Sequence, residues 1–535
     1  MAGDALLDVP ERVRDGSHVL FVDDVFADGS GEGFTRTAEV SFHPPEPGTG
    51  PVHETLLPVS MLGPDVAPGA AYRVEVAGSD LTDVVSDPEA AIERAAATVP
   101  ESQFLVPLVW TDEWAGDVAV APHLLPFARN HSLLLTGEPG AGKTEFVKLL
   151  LPQIRANPEE PLVVFDFKGE YGEWASERGD VVRLSSRGST HYWNLFEEVA
   201  DERELEQLGK SLFRDRERRA TKPFFPVAAR QVLVAVLKYL AREGAASGLR
   251  PDNRELVDFL DRFGSEEVYE LVTAEREDGP THEDLHGAMQ NLTPNSPRQT
   301  GGVYATLQSV VGDVFTGDFA RPDGRFSVRE YMADPRGRVL LLDYPITEGD
   351  RVEPAFRYLV ERAIGQALAD GSRHAYFVLD EFARIPQVDG IERLVATGRA
   401  RRTQAILGLQ SLSQLTAAYG RLEAESMLSG TTQEVFLRSG DPATTEYVTG
   451  RLGGERRQTD SFRAGERGSG RRTTVSGPSM RGRLQRFAPG EGFLLTRGGY
   501  VHAQVPMWSQ LRERTRRAIR ERTSPWGEPP ADRRG

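Results

Sequence analysis

Eight residues constrain the fold of this chain more than any other feature: Gly137-Glu138-Pro139-Gly140-Ala141-Gly142-Lys143-Thr144. They match the pattern of a glycine, any four residues and then Gly-Lys-Ser/Thr. An apolar run, Leu133–Leu135, leads in, and Glu145–Leu151 leads out with helical character. Pro152 should end or kink that helix. A strand, a glycine loop and a helix in this order aim backbone N–H groups at an anion, and the helix N-terminus adds a favourable dipole. Glycines let the loop turn tightly enough to do so. The expectation is an α/β fold on parallel strands, with residues 137–144 cradling the phosphates of ATP. Lys143 would reach the β- and γ-phosphates, and Thr144 would hold Mg²⁺.

The rest of the chain fits that frame. Apolar segments at Leu162–Phe165, Val339–Asp343, Tyr376–Leu379, Ala405–Leu409 and Glu434–Leu437 alternate with helical stretches, which predicts a parallel sheet. Gly492–Thr496 reads as a last strand. Residues 196–319 read as a helical insertion, with Val227–Leu240 and Glu255–Phe263 the clearest amphipathic stretches. The domain expectations are an acidic β-rich domain at 1–125, a P-loop ATPase domain at 126–195 and 320–510, the insertion, and a basic tail at 511–535.

A nucleotide hydrolase with this loop needs a second carboxylate for the Mg²⁺ shell and a base for water. Asp380 and Glu381, at the end of the Tyr376–Leu379 strand, supply both: Asp380 through a bridging water, Glu381 by activating the attacking water. Gln410 ends the Ala405–Leu409 strand, either as a γ-phosphate sensor or simply as a polar strand end. Arg399, Arg401 and Arg402 lie between Glu381 and Gln410. One of them can serve as an arginine finger on a neighbouring subunit's nucleotide, or the group can be a solvated helix face.

Charge is unevenly spread along the chain, whose formal net value is −17. Residues 1–100 hold 18 acidic and 5 basic residues, whereas 451–535 hold 19 arginines against 8 acids. The acidity of residues 1–100 reads as solvation in high salt, and the basic end as a polyanion contact. The chain contains no cysteine, which excludes disulfides, thiolate metal sites and cysteine nucleophiles. No signal peptide and no run of 18 apolar residues is read, so the expectation is a chain without a transmembrane segment, cytoplasmic or peripheral to a membrane through a partner.

From Leu133 to about Trp508 the chain resembles the coupling ATPases of type IV secretion and conjugation, the TraG/TraD-type motors. The resemblance rests on the P-loop, on Val164-Phe165-Asp166-Phe167-Lys168-Gly169-Glu170-Tyr171, and on Phe225-Pro-Val-Ala-Ala-Arg-Gln231 in the insertion. It continues through Asp380-Glu381-Phe382-Ala383-Arg384, Gly398-Arg399 and Leu409-Gln410-Ser411, then Gln414-Leu415 and Tyr419-Gly420. Asp441-Pro442-Ala443-Thr444-Thr445 and Leu452-Gly453 close the series. It implies a RecA-like P-loop fold in a hexameric ring that pumps single- or double-stranded DNA. It also implies that Arg399 is the trans arginine finger, that Gln410 is the sensor, and that Asp166 and Lys168 sit near the nucleotide. Relaxase, secretion-channel or nuclease proteins would be partners. Members often carry N-terminal transmembrane helices where this chain has an acidic β-rich region. A β-domain ahead of a RecA core also resembles the HerA/FtsK helicase-translocases of DNA repair and chromosome handling. A nucleotide-gated assembly protein without translocation is the third reading.

His282-Glu283-Asp284-Leu285-His286 spells a zinc-protease pattern. Its polar surroundings, the lack of a third ligand and a Thr281/Asp284 capping-box spacing favour an ordinary helix start. Arg214, Arg216, Arg218 and Arg219, with the Arg/Gly/Ser-rich stretch 454–482, are candidate phosphate contacts, but few aromatics accompany them.

Overall fold

The computed structural model describes residues 130–154, 159–172, 181–274, 282–452 except Pro386, 480–496, 499–511 and Arg516, together with strands ahead of residue 130. The Arg/Gly/Ser-rich stretch at 454–482 and the basic tail at 511–535 lie almost wholly outside these residues. By contacts the chain forms two compact units, one of residues 1–157 and 404–535, the other of residues 158–403.

In the first unit, β1 (Val19–Ala27), β2 (Arg36–His43), β3 (His53–Pro58) and β4 (Ala71–Arg73) form an antiparallel sheet in the order β3-β2-β1-β4. A register shift between Val22 and Asp24 marks a bulge in β1. These strands fall within residues 1–125, the stretch expected to be rich in β-structure. Two-residue pairs follow, β5 (Glu75–Val76) with β6 (Ser79–Asp80) and β8 (Trp110–Thr111) with β9 (Val118–Ala119). β7 (Gln103–Pro107) pairs antiparallel with β10 (Leu124–Ala128). Among the described residues no strand pair closes these into a barrel.

The remaining strands in chain order are β11 (Leu133–Thr136), β12 (Leu162–Asp166), β13 (Val181–Leu184), β14 (Val339–Asp343), β15 (Ala375–Leu379), β16 (Thr403–Leu409), β17 (Gln433–Leu437), β18 (Glu491–Thr496) and β19 (Gly499–Gln504). In the first unit β11 lies between β16 and β17, parallel to both, with Leu133 opposite Ile406 and Gln433. β18 and β19 extend the β17 side antiparallel. Every residue of β11, β16 and β17 is buried, which is why these segments read as continuous apolar runs and not as alternation. The helix α1 (Lys143–Ile154) follows β11 and runs on past Pro152, so that proline does not end it.

In the second unit β13, β14, β12 and β15 stand in that order, all parallel. Each is short, and helices lead from β13 to β14 and from β14 to β15. The insertion is helical as expected: α2 (Glu202–Arg219), α3 (Phe224–Ala246), α4 (Asn253–Arg262), α5 (Ser265–Thr273) and α6 (Pro297–Val314). α4 begins at Asp252, whose side chain accepts from Arg254 and Glu255 N–H while Glu255 reaches back to its amide, a full capping box. Trp193 anchors the insertion's core, stacked on Phe315 with ring centroids 6.0 Å apart. The 23-residue α3 is the one described helix long and apolar enough to cross a membrane by length and composition. Half of that stretch is buried in the protein, where α3 packs on α2 and α6. α7 (Gly349–Asp370) follows β14, and α8 (Ile391–Thr397) follows β15.

Candidate nucleotide site

The P-loop is shaped by its main chain. Gly140 and Gly142 take φ of +76° and +104°, a region that side-chain-bearing residues rarely adopt. A Cβ on Gly142 would stand 3.0 Å from the Gly490 amide nitrogen. The loop is pinned on both sides, Gly137 N–H donating to Leu409 C=O at 3.0 Å and Glu138 N–H to Arg438 C=O at 2.9 Å. From below, Gly490 N–H donates to Ala141 C=O at 2.8 Å. Lys143, 5% exposed, donates to the Gly137 carbonyl at 2.6 Å, which holds its ammonium over the start of the loop. Thr144 stands in the first turn of α1 and is half-buried.

The first turn of α1 is tied down in turn. Ser509, ahead of the described C-terminal residues, donates its N–H and its hydroxyl to Glu145, each at 2.8 Å. Burial works to raise the Glu145 carboxyl, but these bonds and nearby Lys148 outweigh it and hold it below its usual value. Gln410 follows the residue whose carbonyl holds Gly137, and its Oε1 accepts from Gln414 Nε2 at 3.2 Å. That places Gln410 one residue beyond the carbonyl that holds the loop start.

Asp380 and Glu381 are carboxylates at 3% and 1% exposure, immediately after the fully buried β15. Glu381 sits at φ +52°, a left-handed conformation that turns the chain sharply out of the strand. Tyr171 OH donates to Asp380 at 3.4 Å, and Lys168 Nζ donates to Glu381 at 3.1 Å. For the Lys168 ammonium, burial disfavours the charge, but Glu381, then Asp380 and Glu170, outweigh it and push its pKa up. Both partners come from the loop after β12, and Asp166 shapes that loop. Its two carboxylate oxygens accept the N–H groups of Glu170 at 3.0 Å and Tyr171 at 2.9 Å. Burial and neighbouring Asp343 push the Asp166 carboxyl up against those bonds. Asp166 thus uses its oxygens on backbone, and its link to Glu381 runs through Lys168.

Arg399 lies on a short 3₁₀ turn, Gly398–Arg401, after α8, where a Cβ on Gly398 would meet the Thr403 carbonyl at 2.3 Å. The Arg399 side chain is exposed and makes no hydrogen bond or ion pair among the described residues, while its carbonyl accepts from Arg402 N–H at 3.3 Å. Arg402 donates to the Ser372 carbonyl at 2.9 Å, and Arg401 packs against Gly371. Of the three arginines, Arg399 is the uncommitted one.

The insertion's arginines also separate. Arg214 pairs with Glu361 at 2.7 Å and Asp389 at 2.8 Å, and Arg216 pairs with Asp313 at 2.7 Å. Arg218 and Arg219 are exposed and make no ion pair among the described residues. The His282–His286 stretch is a 3₁₀ turn, Glu283–Leu285, and the next helix starts only at His286. His282 bonds Glu243 at 3.0 Å and Asp284 pairs with Arg242, so no metal cluster forms there or elsewhere among the described residues.

Sequence reasoning found the loop and the carboxylates but missed Tyr171, Arg438 and Ser509. Tyr171 stood in the quoted signature, next to Glu170. The other two carry no local sign, since only strand order brings them to the loop.

Residues 122–479, about two thirds of the 535, match the family model of the type IV secretion-system coupling protein DNA-binding domain. The chain belongs to this family. Among curated relatives, the VirD4 protein of Rhizobium radiobacter is 24% identical over 316 residues, covering 55% of this chain and 44% of that protein. VirD4 of Agrobacterium fabrum is 30% identical over 107 residues, 19% of this chain and 16% of that protein. This family member therefore spans under half of the curated relatives it matches. In solved structures, the unbound form of the conjugative coupling protein TrwBdeltaN70 superposes with a TM-score of 0.53 at 17% identity, over 78% of this chain and 93% of that one. TrwB in complex with ADP and Mg²⁺ gives 0.51 at 19% identity, over 72% and 87%. At such identities the likeness establishes the RecA-like P-loop fold of TrwB, which is the fold class expected from the sequence.

Proposed function

We propose that this coupling-family chain is an ATP-driven DNA translocase that hydrolyses ATP at subunit interfaces of a ring. The observation that carries the reading is the P-loop itself: two glycines at positive φ, a buried Lys143 drawn over the loop, and a helix beginning at its end. Such a loop has no structural task that a plainer turn would not perform, and its N–H groups suit a polyphosphate.

Each element's geometry supports a role for its residues. The backbone of Gly137, Glu138, Pro139, Gly140, Ala141 and Gly142 cradles phosphate, and Lys143 neutralises its charge. The hydroxyl of Thr144 and the carboxylate of Asp380 are hard oxygen donors of the kind Mg²⁺ prefers, and the metal when bound would spread phosphate charge. Glu381 activates the attacking water, held in one orientation by Lys168, while Asp166 fixes the loop that carries that lysine. Gln410 reports on the terminal phosphate. Arg399, exposed and unpaired, completes a neighbour's site, which makes a homo-oligomer, a hexamer in this reading, part of the proposal. TrwB has been seen with ADP and Mg²⁺ and with a non-hydrolysable ATP analogue, which supports nucleotide binding here. The family's DNA-binding description supports DNA as the cargo. Relaxase or secretion-channel proteins are the partners this reading implies, with the chain on the cytoplasmic side.

Steady-state ATP hydrolysis at high salt, with and without single- and double-stranded DNA, tests it, with Glu381→Gln as control. DNA should raise the rate several-fold, and the variant should abolish it. A Glu381-dependent rate indifferent to DNA would leave an ATPase without translocation and favour a nucleotide-gated assembly protein.

A further inference from the structure

The strand beside the P-loop strand on its other flank, β17, ends at Leu437, and the next residue is Arg438. Arg438 is tied to the second P-loop position twice. Its carbonyl accepts the Glu138 N–H at 2.9 Å, and its Nε donates to Glu138 Oε1 at 2.6 Å. The two side chains are 29% and 40% exposed, too open for the pair to matter much to stability. A carboxylate is also a poor choice in a loop built to hold anions, because it repels phosphate unless its charge is offset.

The other end of the guanidinium explains the pairing. Among the described residues beyond its chain neighbours, only Arg438 Nη2 stands within 4 Å of a Cβ position on Gly140, at 3.8 Å, so the fork faces the exposed top of the loop. Nη1 and Nη2 make no hydrogen bond with a described residue, leaving four N–H donors in a plane. Lys143, the residue expected at the β- and γ-phosphates, is drawn towards the same stretch by the Gly137 carbonyl. The inner phosphates belong instead to the amides of Gly142–Thr144 at the start of α1.

We propose that Arg438 is a phosphate-contacting residue of the P-loop, supplied in cis by the end of β17 and aimed by Glu138, and that it distinguishes nucleoside triphosphate from diphosphate. The proposal rests on the nucleotide-binding reading above. The planar fork takes two oxygens of the terminal phosphate, Glu138 keeps the Nε edge, and the carboxylate's charge is cancelled where the phosphate enters.

Calorimetric titration of the full chain with ATPγS and with ADP, both with Mg²⁺, decides it. Arg438→Ala should weaken ATPγS roughly 10- to 100-fold, the size of one lost charge-assisted pair, and ADP by less than about 3-fold. Arg438→Lys, which keeps the charge and loses the fork, should fall between wild type and alanine for ATPγS alone. Glu138→Gln should weaken ATPγS by about 3-fold through looser aim. Equal losses for both nucleotides in the lysine variant would show a merely structural residue and overturn the proposal, as would unchanged ATPγS affinity in the alanine variant. A wild-type chain that binds neither nucleotide sinks the nucleotide reading itself, a different and earlier failure.

Discussion

The P-loop and the Asp380–Glu381 corner are both anchored at strand ends, yet they are made of opposite materials. In the loop, conformation and binding groups come from the main chain: glycines at φ +76° and +104°, and amides held by carbonyls of Leu409 and Arg438. At the corner the groups are carboxylates at 3% and 1% exposure, kept by a tyrosine hydroxyl and a lysine ammonium from one neighbouring loop. A backbone device fails when something is added to it. A device of buried charge fails when a counter-charge is taken away. Substitutions of those two kinds should therefore have different signatures.

The largest effect is expected at the corner. Glu381→Gln removes the proposed base and should lower turnover by about 10³-fold while nucleotide affinity changes by only a few-fold. Equal losses in kcat and affinity would mean that the corner binds and does not catalyse. Next comes an addition to the loop. Gly142→Val places a side chain at φ +104° and 3.0 Å from the Gly490 amide, so nucleotide binding measured by titration should fall by about 100-fold. Binding close to wild type would break the backbone half of the contrast.

Lys168→Met should lower kcat by about 10-fold with little change in KM, because Glu381 loses the group that orients it. It should also destabilise the chain by about 1–3 kcal/mol in denaturant melts, the cost of leaving a buried carboxylate without its partner. Lys168→Arg should restore the stability more than the rate. A Lys168→Met chain with unchanged melting would show that the corner tolerates lost counter-charge. The smallest effect is a pH one. Glu145 is held below its usual value, so its bonds to Ser509 add stability that is present above the unfolded value and lost as pH falls through the folded one. Wild type should exceed Glu145→Gln by about 0.5–1 kcal/mol near pH 7, and the two should converge below about pH 4. A constant gap across that range would remove Glu145 from the account.

Much of this was legible in residue order, and the limits have physical causes. Val339–Asp343 was read at its observed bounds, and β11, β12, β15, β16 and β17 to within two residues, because central parallel strands are apolar on both faces. β13 was missed: its four residues alternate half-buried and buried and include Arg183, which pairs with Asp343. β19 was missed as a short strand with polar members at His502 and Gln504. Pro152 was expected to end or kink helix α1; it does not end it, the helix continuing to Ile154.

The sequence by itself determined the phosphate loop, the acidic strand end and the α/β class, because each depends on residues adjacent in the chain. A loop shaped by its backbone is written in glycine spacing, and a strand end that bears two acids is written in one apolar run. Which charges meet across long loops was decided only by the tertiary structure. Lys168 reaches Glu381 across 213 positions, Arg438 reaches Glu138 across 300, and Ser509 reaches Glu145 across 364. The same folding separated Arg399 from Arg401 and Arg402, and Arg218 and Arg219 from Arg214 and Arg216, by giving some a hydrogen-bonded carboxylate or carbonyl or a close neighbour, whereas the side chains of Arg399, Arg218 and Arg219 make no ion pair among the described residues. An arginine's availability depends on what stands within a few ångströms of its guanidinium, and strand order and packing set that distance.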